Sequence, residues 1–478
     1  MPDLLLGIDV GTSGARAMVF ARDRSEVGAA RAPLTSSHPL PDRAEQDAAA
    51  LWETVRSVVA AALTDAGCSP DDLASVGITT QRSSIVIWDR ATGEPVAPMV
   101  LWNDLRGTDR AAELQAAGHP IMPIAAAAKL EAVLDTVPDG RRRATEGASA
   151  WGTLDSYLVH RLSGCLHITD RSCAWSAAYL DFAEPTRWNE SLIDHQGLPL
   201  GFFPSLCDTT GRLGTTTIGA IGAEVPIGAV VADQQAGMFA HGAVDAGAWK
   251  ATCGTSGVLM IATGETPDLR SGLVPMVLAG WGDRTSFAAE GMVRSAGEML
   301  LWAVAEGMAD SVESLADLAG QTRDSGGVGV RPSLHGLGTP YDDSTAGVAV
   351  QGRTDDTTPA QMARAILEGV AFRMCEIVDV AVAGHHVDPQ APLPVDGGLT
   401  RSDTFCQIQA DLLGRPVIRH PQVEATVLGA ALAGARGVGV EVAETESTGD
   451  VFEPTTDGTE VHERLREWQA QVMDTPGR

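Results

Sequence analysis

The sequence is poor in lysine and strongly biased toward acidic residues. Only two of its 34 basic residues are lysines, Lys129 and Lys250, and its 62 acidic residues give a formal net charge of −28. A surface this acidic repels phosphate backbones and anionic lipid, so we expect no nucleic-acid partner and no membrane association. An anionic ligand would have to be held by backbone amides, by a metal ion or by a few placed cations.

Cysteine pairs and long apolar runs are also missing. The seven cysteines are odd in number and widely spaced, without a C-x-x-C, so neither a disulfide scaffold nor a structural zinc site is predicted. This pattern favours a reducing compartment, and we expect a cytoplasmic protein. No apolar run approaches the 18 residues typical of a membrane-spanning helix. The chain enters a strand-like run directly after Met-Pro-Asp, which does not indicate secretion.

Several common nucleotide and metal motifs do not occur. The chain has no G-x-x-x-x-G-K-[ST], no glycine-rich loop of the protein-kinase type with a following lysine, and no H-E-x-x-H. What remains is an ordinary globular composition over 478 residues, with 44% hydrophobic and 20% charged residues. This length predicts two or three domains, each large enough to bury a core.

The tetrapeptide Gly-Thr-Ser-Gly occurs twice, at residues 11–14 and 254–257. Each copy lies between two strand-like runs, residues 4–9 and 15–20 for the first, and residues 249–253 and 258–262 for the second. This pattern predicts two β-hairpins with tight glycine turns. The shared context favours duplication, and hence two similar domains that each begin with a glycine hairpin.

The remaining pattern alternates strand-like and helical segments, which indicates an α/β fold. Strands are predicted over residues 76–79, 85–88, 228–232 and 393–395. Helices are predicted over residues 47–66, 151–162, 358–382, 402–413, 424–434 and 460–472, the last being a terminal helix.

The glycine turns are the first candidate functional elements. Consecutive amides together with threonine and serine hydroxyls can hold phosphate oxygens without a net positive charge. The alternative is a plain hairpin turn, but the repetition favours the phosphate interpretation. Asp9 precedes the first turn by two residues, and a carboxylate beside a phosphate is repulsive unless a cation such as Mg²⁺ lies between them.

Two further carboxylates follow strand-like runs. Asp233 follows the run at residues 228–232, where ligands of open α/β sheets bind. It could take a proton from a substrate hydroxyl that attacks phosphorus, or it could simply be a helix N-cap. The turn Asp396-Gly397-Gly398 could hold a nucleotide base or ribose against bare backbone, or be an ordinary turn.

Taken together, these residues resemble the FGGY carbohydrate kinases of the glycerol kinase and xylulokinase group. The resemblance covers nearly the whole chain in the same order. Its pieces are Gly7-Ile8-Asp9-Val10-Gly11-Thr12-Ser13, Glu45-Gln46-Asp47 with Trp52, Gly77-Ile78-Thr79-Thr80-Gln81-Arg82, Leu101-Trp102-Asn103-Asp104, Gly152-Thr153-Leu154-Asp155, Thr169-Asp170, Ala232-Asp233-Gln234-Gln235-Ala236, Cys253-Gly254-Thr255, Glu290-Gly291 with Ala296-Gly297, Gly336-Leu337-Gly338-Thr339-Pro340-Tyr341, and Asp396-Gly397-Gly398.

The resemblance implies two actin-like (ribonuclease-H-like) domains with ATP and substrate in the cleft between them. We place the domains at residues 1–245 and 246–478. It also implies ATP- and Mg²⁺-dependent phosphorylation of a sugar or polyol hydroxyl, and is compatible with a homodimer.

Site residues follow from the resemblance, position by position. Asp233 would be the catalytic base and Asp9 the neighbour of Mg²⁺. The acceptor would face Arg82, Trp102, Asp233 and Gln234. The phosphates would lie at Thr12 and Ser13 in the first domain and at Gly254 and Thr255 in the second, and the adenosine at Gly297 and Gly398.

This chain departs from the glycerol kinases around the acceptor. Ser83 replaces a glutamate, and Ile124 and Val258 replace aromatic residues. Leu101-Trp102-Asn103-Asp104 is closer to the ketopentose kinases, which usually carry Met-His in place of Arg82-Ser83. We therefore expect a ketopentose such as xylulose, or a polyol, rather than glycerol, with a glycerol kinase as the alternative.

Two alternatives come from other functional classes. One is an actin-like ATPase switch without a sugar acceptor, and the other is a catalytically silent binding protein. Arg82, Trp102 and the Asp233-Gln234 pair argue against the first, and the two carboxylates Asp9 and Asp233 argue against the second.

Overall fold

The computed structural model describes residues 3–384, 387–443, 449–455 and 458–473, without the side chains of residues 458–461. The strands are β1 (Leu4–Val10), β2 (Gly14–Phe20), β3 (Glu26–Pro33), β4 (Glu45–Gln46), β5 (Leu73–Thr80), β6 (Ile85–Asp89), β7 (Met99–Val100), β8 (Ser149–Thr153), β9 (Ile168–Asp170), β10 (Ser205–Cys207), β11 (Thr210–Thr215), β12 (Pro226–Ala232), β13 (Trp249–Cys253), β14 (Gly257–Gly264), β15 (Val274–Trp281), β16 (Arg284–Val293), β17 (Gly329–Arg331), β18 (Ala349–Gln351), β19 (Leu393–Asp396), β20 (Val417–Arg419) and β21 (Asp450–Phe452).

The α-helices are α1 (Ala48–Asp65), α2 (Thr108–Ala116), α3 (Ala126–Leu134), α4 (Gly140–Thr145), α5 (Leu154–Ser163), α6 (Arg171–Ser176), α7 (Glu190–His195), α8 (Ile218–Ile221), α9 (Asp233–Ala240), α10 (Gly297–Ala305), α11 (Val312–Ala319), α12 (Pro359–Ala383), α13 (Asp403–Leu413), α14 (Ala425–Val438) and α15 (Gly458–Val472). Short 3₁₀ turns lie at Pro70–Asp72, Leu200–Phe202 and Gly398–Arg401. The mixed α/β class is confirmed.

The chain forms two units by contact, and neither is continuous in sequence. The first comprises Met1–Ala240, Met276–Ser286 and Thr426–Thr445, and the second His241–Pro275, Phe287–Ala425 and Glu446–Arg478. The domain boundary at residues 245 and 246 stays a prediction. The segments Met276–Ser286 and Thr426–Thr445 belong to the first unit by contact, and the order of strands and helices along the sequence does not indicate this.

The first unit is built on a sheet with strand order β11-β12-β5-β1-β2-β3. The strands β1, β5 and β12 run parallel, whereas β1 and β2 form the predicted antiparallel hairpin. Strand β1 is buried over Leu5–Val10, as expected for a central strand that is covered on both faces. A smaller sheet, β4-β7-β6-β8, belongs to the same unit.

Helix α1, which packs into the core of the first unit, shows how the local sequence determines the start and the buried face of a helix. Asp47 caps its first turn by accepting from the amides of Ala49 and Ala50 (2.9 and 3.1 Å). The buried positions Leu51, Val55, Val58, Val59 and Leu63 recur at helical spacing and pack into the core of the first unit.

Helix α14 packs on the sheet of the first unit through glycine rather than through side chains. A β-carbon on Gly7, Gly77 or Gly228 would collide with a carbonyl oxygen of α14. The backbones of helix and sheet therefore touch directly, and only glycine fits at these three sheet positions. This contact joins residues near the end of the chain to its first strand.

The second unit has a sheet with the order β16-β14-β13-β19-β20-β21. The predicted hairpin of β13 and β14 is confirmed, with Cys253 opposite Gly257. Strand β19 runs parallel to β13, with Thr252 beside Asp396. Helix α12 is capped by Thr358 and begins with Pro359, as expected for a first helical turn.

One predicted helix is partly wrong. The segment at residues 151–162 was predicted to be helical throughout, but Ser149–Thr153 forms β8 and the helix α5 starts at Leu154. Strand β8 pairs antiparallel with β6, from Ile85 opposite Thr153 to Asp89 opposite Ser149. This long-range pairing decides the conformation of the first three residues against their local pattern.

Candidate active site

In the first unit, polar residues gather at the carboxyl ends of three parallel strands. The register aligns Asp9 of β1 with Thr79 of β5 and Val231 of β12. Asp233 follows β12 directly. Because neighbouring strands are about 4.8 Å apart, β1 and β12, which lie on either side of β5, are about 10 Å apart, and Asp233 lies two residues beyond the position level with Asp9.

The first glycine turn is linked to side chains from three other segments. The Thr12 hydroxyl donates to Gln81 Oε1 (2.9 Å) and accepts from Trp102 Nε1 (3.0 Å). Gln46 Nε2 donates to the Thr12 carbonyl (2.7 Å). Ser13 is exposed on the same turn. Thr12 therefore connects a predicted phosphate position with the predicted acceptor residue Trp102.

Asp9 is buried beside a cation. Its side chain is only 6% exposed, and its Oδ2 accepts from Arg16 Nη1 at 3.1 Å. This ion pair is partly shielded from water, because Arg16 extends from β2 over the carboxylate of the adjacent strand. A buried carboxylate requires such compensation for its lost hydration.

Asp233 is the first residue of α9 and lies next to Arg82. Its Oδ1 accepts from the Gln234 amide (2.8 Å) and lies 3.5 Å from Arg82 Nε. The Asp233 side chain is 28% exposed, so a bound molecule can reach it. Ser83, the next residue after Arg82, has φ +60° and donates its hydroxyl to the Ser176 carbonyl (2.5 Å). Such a conformation is strained for a non-glycine residue and is typical of functional sites.

A buried network, which the sequence analysis did not identify, supports the strand end before Asp233. The Ala232 amide donates to Ser172 Oγ (3.0 Å), which in turn donates to Asp170 Oδ1 (2.8 Å). Thr209 Oγ1 donates to the other oxygen of Asp170 (2.9 Å). Burial raises the pKa of Asp170 above its ordinary value and that of neighbouring Asp155 to about 6.

The same network contains the one grouping with metal-ligand geometry among the described residues. Ligand atoms of Asp155, Asp170 and Cys173 lie within 4.8 Å of one another, and all three residues are buried. Both oxygens of Asp155 accept from threonine hydroxyls, and those of Asp170 accept from hydroxyls and amides. Burial raises the pKa of the Cys173 thiol, which disfavours the thiolate that a metal would need. We assign this cluster a structural role.

In the second unit, the second glycine turn meets the start of α10. The Gly297 amide donates to the Gly254 carbonyl (2.9 Å), and the Ala296 amide donates to the Thr255 carbonyl (3.0 Å). A β-carbon on Gly297 would lie 2.6 Å from the Gly254 carbonyl oxygen, so this packing requires glycine. The Thr255 side chain remains exposed.

The turn after β19 lies beside the same hairpin. Asp396, the last residue of β19, accepts from Thr252 Oγ1 (2.8 Å) and lies 2.8 Å from His241 Nε2. Burial acts to raise the pKa of Asp396, but the charge of Lys250 and the His241 hydrogen bond hold it below its ordinary value. Asp396 thus ties the strand before Gly254 to the turn that carries Gly398.

Three predicted site glycines have no steric role within their own unit. A β-carbon on Gly11 or Gly254 would have its nearest neighbour at 3.8 or 3.9 Å, and one on Gly398 would meet nothing within 4 Å. None of the three has a positive φ. The fold therefore does not require glycine there, whereas the close approach of a ligand to the backbone would.

The structure groups the predicted residues by unit. Asp9, Thr12, Ser13, Arg82, Trp102, Asp233 and Gln234 lie in the first unit, and Gly254, Thr255, Gly297 and Gly398 lie in the second. Gln46, Gln81, Ser172, Asp170 and Lys129 were given no role at the sequence level. Gln46, Gln81 and Asp170 lie in the segments that resemble the FGGY kinases, and this position could have identified them as candidate site residues.

The described helices include none that is long and apolar enough to cross a bilayer. All seven cysteines are free thiols.

Comparison with sequence families identifies both halves of the chain. Residues 4–240 match the N-terminal domain of the FGGY family of carbohydrate kinases, and residues 249–438 match its C-terminal domain. A glycerol kinase of Alkalilimnicola ehrlichii is 35% identical over 99% of this chain and 98% of its own length. A glycerol kinase of Thermus brockianus is 36% identical over 91% of this chain and 90% of its own length.

Solved structures of the same kind share the fold. Plasmodium falciparum glycerol kinase with ADP superposes with a TM-score of 0.85 at 22% identity, covering 98% of this chain and 97% of that one. Xylulose kinase from Rhodospirillum rubrum gives a TM-score of 0.78 at 25% identity, covering 98% of both chains. The expected fold of the actin-like ATPase type is thereby confirmed, and the chain belongs to the FGGY family of carbohydrate kinases and is a phosphotransferase.

Proposed function

We propose that this enzyme transfers the γ-phosphoryl group of ATP to a hydroxyl of a sugar or polyol, with Asp233 as the general base. The observation that carries the proposal is the position of Asp233. It stands at the carboxyl end of a central parallel strand, accessible and 3.5 Å from Arg82, with the carboxylate of Asp9 at the same sheet edge.

The proton balance of the transfer is simple. The carboxylate of Asp233 takes the proton of the acceptor hydroxyl while that oxygen bonds to the γ-phosphorus, and the bond to the β,γ-bridging oxygen breaks to release ADP. Arg82, whose Nε lies 3.5 Å from Asp233 Oδ1, would orient the acceptor. Trp102 and Gln234 would form the remainder of the acceptor site.

We assign the nucleotide to backbone surfaces rather than to cations. Thr12 and Ser13 in the first unit, and Gly254 and Thr255 in the second, would face phosphate oxygens. Gly297 and Gly398 would line the adenosine. The open space around Gly11, Gly254 and Gly398 supports this assignment, because a β-carbon would occupy the volume that the ligand needs.

The residues present suit a magnesium ion carried with the nucleotide. Mg²⁺ prefers carboxylate oxygen and retains several waters, and Asp9 is the carboxylate two residues before the first glycine turn. When bound, the ion would neutralise charge on the phosphates. Asp9 would hold it, through water or directly, while Arg16 fixes the orientation of the carboxylate.

We further propose that the preferred acceptor is larger than glycerol. Ser83 carries a neutral hydroxyl, whose proton is donated to the Ser176 carbonyl, and its oxygen is a weaker acceptor for substrate hydroxyls than the charged carboxylate of the glycerol kinases. Ile124 is an exposed aliphatic residue two residues before α3, where the glycerol kinases carry an aromatic residue. The second candidate is glycerol itself, which the names of the relatives favour.

ADP release with ATP and Mg²⁺ tests these proposals. Glycerol, C4–C6 polyols and ketoses should each be compared with an acceptor-free control. Release that depends on an acceptor supports the kinase, and a higher kcat/KM for a larger acceptor supports the proposed preference. Acceptor-independent release would indicate an ATPase switch instead, and glycerol exceeding every larger acceptor would overturn the preference.

We also infer that the enzyme works in the cytoplasm. The support is chemical: seven free thiols, four of them buried, persist most readily in a reducing compartment. Fractionation of the producing cell, followed by immunodetection of the chain, would test this location.

A further inference from the structure

The chain uses arginine at nearly every basic position and lysine at two, and both lysines are completely buried. Lys129 and Lys250 each have 0% exposed surface. Lysine and arginine are rarely fully buried unless they are paired. A cation enclosed in this way depends on hydrogen-bond acceptors or opposite charges inside the protein.

Lys129 meets the loop that carries Trp102. It lies in the middle of α3, and its Nζ donates to the carbonyls of Leu101 and Trp102 (2.8 and 3.0 Å). These two carbonyls lie on either side of the Trp102 Cα, which carries the indole side chain. The Lys129 ammonium group therefore fixes the backbone of Trp102, the residue predicted to face the acceptor.

The remainder of this loop is held by a buried ion pair. Asp104 accepts from the Ala44 amide (2.8 Å) and from Arg106, whose Nε and Nη2 both lie 2.8 Å from it. Arg106 also donates to Glu45 Oε1 (2.6 Å). The loop around Trp102 is thus fixed on its far side by charged groups that are themselves almost completely buried.

The fixed loop determines where the indole points. Trp102 Nε1 donates to Thr12 Oγ1, and the same hydroxyl donates to Gln81 Oε1. We propose that Lys129 is a positioning residue for the acceptor site, which acts by holding the Trp102 backbone so that the indole forms the acceptor wall and contacts Thr12. This inference rests on the proposed function, in which Trp102 faces the acceptor.

The chemistry of lysine suits this task better than that of arginine. A single nitrogen can donate to two successive carbonyls from a small enclosed volume, whereas the planar guanidinium fork needs more room. Burial lowers the pKa of Lys129 to about 7, with neighbouring Asp104 acting to raise it and Arg106 to lower it. The neutral amine still carries two N–H groups, which match the two carbonyls, so positioning does not depend on the charge.

The test compares Lys129→Met with wild type in steady-state kinetics. Met keeps the length of the side chain but removes both hydrogen bonds. We expect the KM for the best acceptor to rise at least about tenfold, as for the loss of hydrogen bonds to a buried group, while the KM for ATP changes less than about twofold. Combining Lys129→Met with Trp102→Ala should add little to the effect of Trp102→Ala alone.

Arg331→Met is the matched control. Arg331 is a buried cation of the second unit whose Nη1 donates to the carbonyls of Val472 and Met473 (3.0 and 2.9 Å). Its loss should lower the melting temperature through the same kind of broken contact and leave the acceptor KM within about twofold. If Lys129→Met does not yield folded protein, Lys129→Arg serves in its place, because it keeps the charge and changes the donor geometry.

A spectroscopic measurement keeps the inference independent of turnover. With 5-fluorotryptophan incorporated, the ¹⁹F resonance of Trp102, assigned by its loss in Trp102→Phe, should shift or broaden in Lys129→Met and remain in place in Arg331→Met. An unchanged resonance, or equal rises in the KM for ATP and for the acceptor, would overturn the positioning role. A wild type without acceptor-dependent ADP release would contradict the proposed function instead, and the ¹⁹F result would still decide the role of Lys129.

Discussion

The two Gly-Thr-Ser-Gly turns have the same sequence but different surroundings. In the first turn the side chain of Thr12 is hydrogen-bonded to Gln81 and Trp102, and the carboxylate of Asp9 lies two residues before the turn. In the second turn the backbone is bonded to the start of α10, and the Thr255 side chain is left exposed. The same tetrapeptide is therefore held in two different ways, through the Thr12 side chain in the first turn and through the backbone in the second.

In the proposed function, the base Asp233, the magnesium neighbour Asp9 and the acceptor residues belong to the first unit, the adenosine residues belong to the second, and both turns would face phosphate. The substitutions at Asp233, at the two turn glycines and at Asp9 should each affect mainly one of these proposed roles, so each can break or sharpen the comparison.

The largest effect is expected at Asp233. Asp233→Asn should lower kcat by roughly 10²–10⁴-fold, because a positioned base that takes a proton contributes about this much. ATP binding, measured by calorimetry, should be nearly unchanged. Asp47→Asn is the matched control, since Asp47 caps α1 and an asparagine can still cap. Retention of more than about a tenth of wild-type kcat, a loss below roughly 1.4 kcal/mol, would mean that Asp233 is not the base.

The next effect concerns the glycine turns. Gly254→Val and Gly11→Val should each weaken ATP binding by about tenfold or more, because the added side chain fills space next to an otherwise open backbone. Gly201→Val is the control, as its β-carbon also meets nothing within 4 Å and it lies outside both turns. ATP affinity that is unchanged in a folded Gly254→Val protein would contradict the phosphate assignment.

A smaller effect is expected at Asp9. Asp9→Asn should raise the Mg²⁺ concentration for half-maximal activity by roughly tenfold and slow turnover, since the amide is a poorer ligand than a carboxylate. Titration of activity against Mg²⁺ at saturating ATP measures this. Asp135→Asn, which disrupts an exposed ion pair with Arg141, should leave the titration unchanged. An identical Mg²⁺ dependence in Asp9→Asn would remove Asp9 from the metal.

The smallest effect is on stability. The pKa of Lys129 is about 7 in the folded protein and near 10.5 in the unfolded chain, so above pH 7 the unfolded chain binds more protons. The free energy of unfolding of wild type relative to Lys129→Met should therefore increase by about 1 kcal/mol between pH 7 and pH 8. Urea denaturation at both pH values measures this difference, and a difference that is flat or falls with pH would show that Lys129 is not titrating there.

Local sequence patterns predicted most individual elements. Both hairpins, α1 and α12 follow from alternation, helical spacing and caps that lie within a few residues of one another. The wrong start of α5 shows the limit of this approach. Strand β8 forms because it pairs with β6, which lies about 60 residues earlier in the chain. No local pattern in residues 149–153 predicts that pairing.

The candidate site shows the same division. Asp9, Asp233 and the glycine turns could be singled out because each follows a strand-like run. The bonds from Trp102 to Thr12 and from Lys129 to the Trp102 loop join segments up to 90 residues apart, and no local pattern specifies them. The supporting residues were therefore missed even where they stand in family segments.

The glycine contact between α14 and the sheet of the first unit has a consequence for biosynthesis. The groove along Gly7, Gly77 and Gly228 is shaped for a helix that the ribosome makes only after residue 425. At about 5–20 residues per second, the first 240 residues wait roughly 10–40 s for the element that covers them. During that interval the nascent chain exposes bare backbone of its central strands, so a fragment that ends near residue 245 should depend on chaperones and aggregate without them.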